Sequence, residues 1–341
     1  MIFYKTSSFG NDFIEIDRSE LACPQGRRPL GGLTSPQGRR PLGGLAREIC
    51  DRQRGVGADG VVFYRLAGRK AASPGDHALE KAALRGYRSL RGGSLKRLSS
   101  SPGAEFQIFN RDGGEAELSG NGMAGLSAVL FQRRLAASPL TLHAASGSRR
   151  VELLGREGPV FQLNVEIGKP DFADRGFFPF LGEKRQPFRC AGVGFHPVSV
   201  GNPHAVVICR QMPPAGQLAA LGEKIEGHAM FPKRVNVEFV HLTSAAIPLV
   251  GTEALRPASP TTGTAALRPA RCQVYFYERG VGPTLASSTG SAAVFAVLRR
   301  LGMAGDRLVI DLDAEKIELN WNDGIFLRNI TRIICRGDYF L

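Results

Sequence analysis

Along much of the chain apolar and polar residues alternate, the period of a strand with one face turned inward. The pattern is carried by "DFIEID", "GVVFY", "EFQIFN", "FQLNVEIG", "HAVVIC", "VNVEFVHL", "CQVYFYE", "RLVIDL" and "KIELNW", each of which predicts a short strand. Two segments show helical spacing instead. One starts at Gly122 and sets Met123, Leu126, Val129 and Leu130 on one face; the other starts at Ser291 and does so with Val294, Phe295, Leu298 and Leu301. A third, weaker helix fits "GQLAALGEKIE". Strands outnumber helices, and two helices stand apart as a pair.

Three stretches interrupt this regularity. "PQGRRPLGGL" occurs at 24–33 and again at 36–45, and "GTEALRPA" at 251–258 is followed by "GTAALRPA" at 263–270, both with a period of twelve. Residues 67–103 are rich in Gly, Ser, Ala, Arg and Leu. Solenoid repeats need longer units with an apolar face to stack. The stretches 21–45, 67–103 and 249–271 are therefore read as surface inserts, which loops accept at modest entropic cost.

Charge changes the picture only through these inserts. The chain carries a net +13, of which the three stretches hold +12. Tyr87 is their only aromatic residue, so they lack the stacking groups of a single-strand nucleic-acid binder, and no nucleic-acid partner is expected. At 341 residues and 43% hydrophobic, the chain has room for two domains with a sizeable core. No apolar run reaches a membrane span, and "MIFYKTSSFGNDF" lacks a secretory layout, so a cytoplasmic protein without a membrane partner is expected. Six scattered cysteines form no CxxC pair, which excludes a zinc finger or redox motif and leaves no metal site in view. Cys209 and Cys335 read as buried strand residues.

The candidate chemistry lies where the paired helices begin. "ELSGNGMAGLSAVLF" places Ser119 before a Gly/Asn turn, and "LASSTGSAAVFAVL" places Ser287 before Ser288, Thr289 and Gly290. A helix start carries free N–H groups and partial positive charge, a ready site for a carboxylate. Each turn alone is also ordinary capping chemistry. Other segments add weight: asparagines recur at loop starts in "FGNDF" (Asn11), "IFNRDGGEAEL" (Asn110), "VGNPHAV" (Asn202) and "RVNVEF" (Asn236). Asparagine both donates and accepts, which suits ammonium and carboxylate groups alike. "YERGVGPT" adds Arg279, able to grip a carboxylate, beside Glu278, able to accept from an ammonium.

Together "GNDFIEID", "ICDRQRGVGADG", "IFNRDGGEAELSGNG", "VGNPHAVV", "RVNVEFV" and "YERGVGPTLASSTGSAA" resemble the diaminopimelate epimerases, cofactor-independent enzymes that invert one α-carbon of LL-diaminopimelate to give the meso form. The motifs run in family order from near residue 1 to about 302. The resemblance implies an α+β fold of two pseudo-symmetric halves, each a curved, mostly antiparallel sheet wrapped round a central helix, with the site at their interface. The halves would be 1–140 and 141–322, with 323–341 returning to the first. It further implies no cofactor, an amino-acid substrate, a place in lysine and cell-wall precursor synthesis, and leaves a homodimer open. Asn11, Asn110, Asn202 and Asn236 would bind substrate, as would Gly120 and Asn121 at one helix and Ser288 and Thr289 at the other. Glu278 and Arg279 would meet its carboxylate and amino groups, with His204 near the reacting carbon. Gly60 stands where some relatives have Gln, so that contact would be missing or bridged by water.

One departure matters most. The family uses two cysteines, one on each face of the α-carbon, and the matching positions here are Ser119 and Ser287. A thiol titrates near 8.5 and lower still at a helix start; a serine hydroxyl is a far weaker acid, and a general base works best near ambient pH. Three readings stay open: an epimerase whose serines are activated by a neighbour such as His204 or Glu278, a one-base relative such as an eliminating enzyme, and a substrate-binding protein without turnover.

Overall fold

The computed structural model describes residues 1–21, 41–67, 103–182, 188–244, 269–312 and 315–340. Most of the three predicted inserts lies outside these residues. The chain divides into two compact units, one of Met1–Leu163 with Ile330–Leu341, the other of Asn164–Asn329.

In the first unit β1 (Ile2–Ser8) and β2 (Asn11–Asp17) form an antiparallel hairpin across a two-residue turn, Phe9 and Gly10, both at positive φ. That is the turn twist a tight hairpin requires, and glycine supplies half of it without strain. Helix α1 (Leu42–Cys50) then leads to β3 (Gly60–Leu66), which lies parallel to β2. β4 (Ala104–Asn110) returns antiparallel to β3 and carries the short β5 (Glu115–Ala116) on its other side. Helix α2 (Gly120–Gln132) follows, then β6 (Leu140–Ala144) parallel to β4, and β7 (Gly147–Glu157) antiparallel to β6.

The second unit repeats that order. β8 (Val160–Gly168) runs into it, β9 (Phe188–Cys190) pairs with β10 (Val193–Ser199), and β10 and β11 (Pro203–Cys209) form the hairpin. Helix α3 (Ala215–Glu226) leads to β12 (Asn236–Ser244), parallel to β11. β13 (Ala270–Glu278) is antiparallel to β12 and carries β14 (Gly282–Thr284). Helix α4 (Ser288–Arg300), β15 (Arg307–Asp311) parallel to β13, and β16 (Lys316–Trp321) complete the order. β17 (Ile325–Asp338) pairs first with β16 and then, within the first unit, with β1.

All nine predicted strands are present. So are the three predicted helices, but the single apolar face assigned to α2 and α4 is corrected. Every residue of α2 from Gly120 to Phe131 is buried, and every residue of α4 from Ser288 to Leu298. A helix enclosed on all sides needs small residues where strands approach, which explains Gly122 beside Val62 and Ile108 and Gly125 beside Glu15 and Thr6 in α2. The sheet beside it is covered on its other face too. Ile14, Ile16, Val61 and Phe63 pack with Leu45, Ala46 and Ile49 of α1, and β3 accordingly reads as a nearly continuous apolar run. In the second unit the matching layer is aromatic: Phe180 meets Phe188 at 4.9 Å and Phe195 meets Phe231 at 5.5 Å between ring centres, among the residues packed under α3.

Two local expectations change. Helix α1 starts inside the stretch 21–45 and buries Leu45, and β13 starts inside 249–271 with Ala270 buried, so neither stretch is wholly a surface insert. Cys335 is exposed, not buried: β17 shifts register against β1 between Lys5 and Thr6, which breaks the alternation just where the strand runs out along the surface. No helix among the described residues is long and apolar enough to cross a membrane.

Candidate active site

In each unit the strand register gathers the candidate residues at one end of the sheet. β2 and β3 start together, Phe13 opposite Gly60, and β4 ends there, Gly60 opposite Asn110. Asn11, Gly60 and Asn110 therefore share one edge. α2 starts over that edge: a Cβ added at Gly122 would lie 3.3 Å from Ile108 and Val62 and 3.5 Å from Phe13. Ser119 caps the helix, its hydroxyl oxygen accepting from the Gly122 N–H at 3.2 Å, and Gly120 and Asn121 form the first turn. The Asn121 side chain receives a long hydrogen bond of 3.4 Å from the Ser8 hydroxyl.

The second unit does the same with different side chains. Asn202 ends the hairpin turn, His204 lies opposite Asn236, and Val237 opposite Tyr277 puts Glu278 at the same edge. Asn236 ties the edge together: its Nδ2 donates to the Pro203 carbonyl at 2.9 Å, and its Oδ1 accepts from the Arg279 N–H at 3.0 Å. Glu278 accepts from the Thr284 hydroxyl at 2.8 Å. The Arg279 guanidinium donates to the Lys233 carbonyl at 3.2 Å, and the turn after β13 is held by the buried Glu226, which accepts from the Gly280 N–H and from Arg234, both at 3.0 Å. Ser287 caps α4 as Ser119 caps α2, accepting from the Gly290 N–H at 3.2 Å.

His204 is wholly buried, and both of its ring nitrogens are engaged. Nδ1 faces Glu238 Oε1 at 2.7 Å and Nε2 faces Asn202 Oδ1 at 2.9 Å. The Asn202 Nδ2 in turn donates to the Thr289 hydroxyl oxygen at 3.3 Å. The expected use of His204 to draw a proton from a serine therefore has no place in this geometry. The ring has no nitrogen left for it.

Three features escaped the sequence reading. Glu238 is the first; it shares a strand face with Asn236 two residues before it, a signal that period-2 counting could have supplied. Glu15 is the second, on the same face of β2 as Asn11 and Phe13. It is fully buried under α2, with Oε1 accepting from the Thr6 hydroxyl at 2.6 Å and Oε2 without a partner among the described residues. Burial pushes its carboxyl well above the usual range, against the opposing pull of Thr6. The third is a charged clamp at the start of β2 and β3. Arg52 reaches both oxygens of Asp12, at 2.8 and 3.1 Å, and Asp59 at 2.8 Å, while Lys5 lies 2.9 Å from Asp12. Burial raises the Asp12 carboxyl, but hydrogen bonds from Arg52 and Lys5 outweigh it and bring the carboxyl down to about 2. The clamp fixes the residues next to Asn11 and Gly60.

The sequence profile of diaminopimelate epimerase matches residues 3–173 and 197–325. The chain belongs to the diaminopimelate epimerase family. A diaminopimelate epimerase of Methanothermobacter thermautotrophicus is 26% identical over 333 residues, covering 95% of this chain and 92% of its own. Among solved structures, a hydroxyproline epimerase from Agrobacterium vitis with bound trans-4-hydroxy-L-proline superimposes with a TM-score of 0.52 at 14% identity, covering 100% of this chain and 91% of that one. A Bacillus anthracis protein of the PhzF phenazine-biosynthesis family gives a TM-score of 0.52 at 12% identity, covering 100% and 99%. At such identity the two structures report a shared fold of mixed sheet and few helices. Membership of the family makes this chain an epimerase-like protein of the isomerase class.

Proposed function

We propose that the protein is an amino-acid epimerase that inverts the α-carbon of diaminopimelate between its LL and meso forms, as a step toward lysine and cell-wall precursors. The observation that carries this reading is the recurrence, once in each unit, of a serine-capped, fully enclosed helix that starts over an edge of polar side chains. The shared order of pairings supports two pseudo-symmetric halves. In this reading Asn11, Asn110, Asn202, Asn236, Glu278 and Arg279 hold the carboxylate and amino groups, with Gly60 leaving its contact to water. The first turns, Gly120 and Asn121 in α2 and Ser288 and Thr289 in α4, receive the developing negative charge.

Inversion needs one group to take the α-proton and another to return one from the opposite face. We assign these roles to Ser119 and Ser287. Each cap hydrogen bond, together with the helix start, stabilises negative charge on the serine oxygen, the environment that would depress a thiol's pKa. Turnover with serine is therefore expected to be slow. A second reading, binding without turnover, is favoured by the state of His204, whose nitrogens are both engaged.

The test is exchange of the α-hydrogen of each diaminopimelate isomer in deuterated water, with the native chain, each single Ser→Cys variant and the double Ser119→Cys, Ser287→Cys variant. The double variant should raise exchange with inversion by at least tenfold, and each single one by less. Native exchange without inversion would point to one-base chemistry, and native silence with bound substrate to a binding protein. A double variant that binds substrate yet stays silent would remove both serines from the reacting carbon.

A further inference from the structure

We propose that Glu238 is a positioning residue: it holds the His204 ring and, through it, sets the direction in which the Asn202 amide and the Thr289 hydroxyl present their hydrogen bonds. The proposal rests on the reading of Asn202 and Thr289 as substrate contacts.

The chain of contacts runs from the strand floor to the first turn of α4. Glu238, His204, Asn202 and Thr289 are exposed by only 1%, 0%, 8% and 6%, and their successive separations are 2.7, 2.9 and 3.3 Å. The atoms at both ends of the ring, Glu238 Oε1 and Asn202 Oδ1, are acceptors. That arrangement is satisfied when the Glu238–His204 pair holds two protons, one on Nε2 and one between Nδ1 and Oε1. Wherever the second proton sits, the pair is neutral overall, which suits a site with no access to water.

The direction propagates. With Nε2–H donating, Asn202 must turn Oδ1 toward the ring and Nδ2 toward Thr289. The Thr289 oxygen then accepts, and its own proton remains available to donate, as a bound carboxylate requires. Without the group at 238, Nε2 can become the acceptor. Asn202 then turns over, and the Thr289 proton is drawn back to Oδ1. Glu238 thus decides whether the helix start offers a donor or an acceptor.

Two further observations say that this pair is not a requirement of the fold. The first unit builds the same strand pair with Phe13 opposite Gly60 and Glu15 opposite Val62, while the second has His204 opposite Asn236 and Val206 opposite Glu238. Phe13 and Val62 fill the places of His204 and Glu238 with apolar side chains. Moreover, Glu238 Oε2 is buried with no partner among the described residues, so the carboxylate is kept at a cost to stability. Gly290 makes the approach possible, since a Cβ there would lie 2.7 Å from Glu238 Oε1.

The experiment combines calorimetry with meso-diaminopimelate and 15N NMR of histidine-labelled protein, the His204 signal being assigned by its loss in His204→Gln. The native ring should show a proton on Nε2. Glu238→Val should weaken binding about ten- to hundredfold, the range for losing a charge-assisted hydrogen bond. In an Asn202→Ala background the same change should alter binding by less than about twofold, because Glu238 acts through Asn202. Glu238→Gln should restore most of the affinity, since its amide can donate to Nδ1 and keep Nε2–H directed at Asn202; it serves as the test if the valine variant does not fold. A bare Nε2 in the native chain, or equal losses in both backgrounds, overturns the proposal. Absence of binding by the native chain, with Nε2 protonated, overturns the substrate reading and leaves the dyad standing.

Discussion

Two residues past the hairpin asparagine, the first unit has Phe13 and the second has His204. The ring of Phe13 lies over Gly60, so closely that a Cβ at that glycine would come within 2.7 Å of it. Its counterpart His204 lies opposite Asn236 and is held by Glu238. Each unit buries a carboxylate beneath its central helix, but on different strands of the equivalent pair: Glu15 on β2, Glu238 on β12. Among the described residues the Glu15 side chain meets only the Thr6 hydroxyl. Glu238 is the first member of a relay that reaches the helix start. One scaffold therefore accepts either an apolar wall or a polar chain at this level. In the proposed reading the polar chain of the second unit serves the site, since the first unit builds the same strand pair with Phe13 and Val62 in its place.

The strongest way to break this comparison is to convert one unit into the other. His204→Phe alone should cost about 3–5 kcal/mol, because it leaves Glu238 buried without its partner. Adding Glu238→Val and Asn236→Gly copies Phe13, Val62 and Gly60 of the first unit. The triple variant should recover most of the stability, measured by denaturant unfolding, and should not recover substrate binding. A triple variant no more stable than His204→Phe would show that the two floors are not interchangeable.

A smaller effect is expected where the first unit makes room for its own carboxylate. A Cβ at Gly125 would meet Glu15 Oε1 and Thr6 Oγ1 inside contact distance, and both are buried. Gly125→Ala should destabilise by about 2–3 kcal/mol through overpacking. Glu15→Ala in the same chain should relieve much of that. Equal melting of Gly125→Ala with and without the second change would remove Glu15 from the contact.

The pH dependence of the first unit should carry the mark of Glu15. Its carboxyl is raised in the fold, so its contribution to stability is complete below the usual carboxylate range and is lost as pH rises through the raised value. Glu15→Gln abolishes that loss. Unfolding free energies of the two chains should be close near pH 4 and should diverge in favour of Glu15→Gln toward pH 8. Parallel curves would mean that Glu15 ionises in the fold as it does outside it.

The smallest effect concerns the clamp that only the first unit shows among the described residues. The Arg52 side chain is 54% exposed, so Arg52→Ala should cost only about 0.5–1 kcal/mol despite its paired hydrogen bonds. Asp12 lies at about 2, so the stability it lends is present above the ordinary carboxylate range and falls away as pH drops toward that value. In Arg52→Ala this acid-side loss should be smaller, because the Asp12 carboxyl moves back up toward its ordinary value. A larger change in substrate affinity than in stability would show that the clamp serves Asn11.

Much of this was legible in the residues. The alternation in β2, β4, β12 and β13 marked the strands, while the helical spacing set the helix starts at Gly122 and Ser291, two and three residues after the Gly120 and Ser288 that follow the caps Ser119 and Ser287. Helix α1 was hidden because it opens on "PLGGL", where Pro41 and two glycines are poor helix formers, and burial of Leu45 and Ile49 overrides that propensity. The spacing in α2 and α4 suggested one apolar face because Gly, Ala and Ser between the large residues look neutral. Enclosure by strands makes them interior. Cys335 looked buried from its apolar neighbours, and a register shift turned it outward.

By itself the sequence determined which residues could share a face. Period-2 spacing puts Asn236 with Glu238, and Asn11 with Phe13 and Glu15, because successive side chains on a strand point to opposite sides. It also determined where helices could start, since the cap needs an oxygen at one position and a free N–H three residues on. Only the tertiary structure decided what those faces meet. The parallel register of β11 on β12 set His204 beside Asn236, and the start of α4 above them brought Thr289 within reach of Asn202. Register and helix placement depend on long-range packing, and no local pattern encodes which buried carboxylate will find an imidazole and which only a threonine.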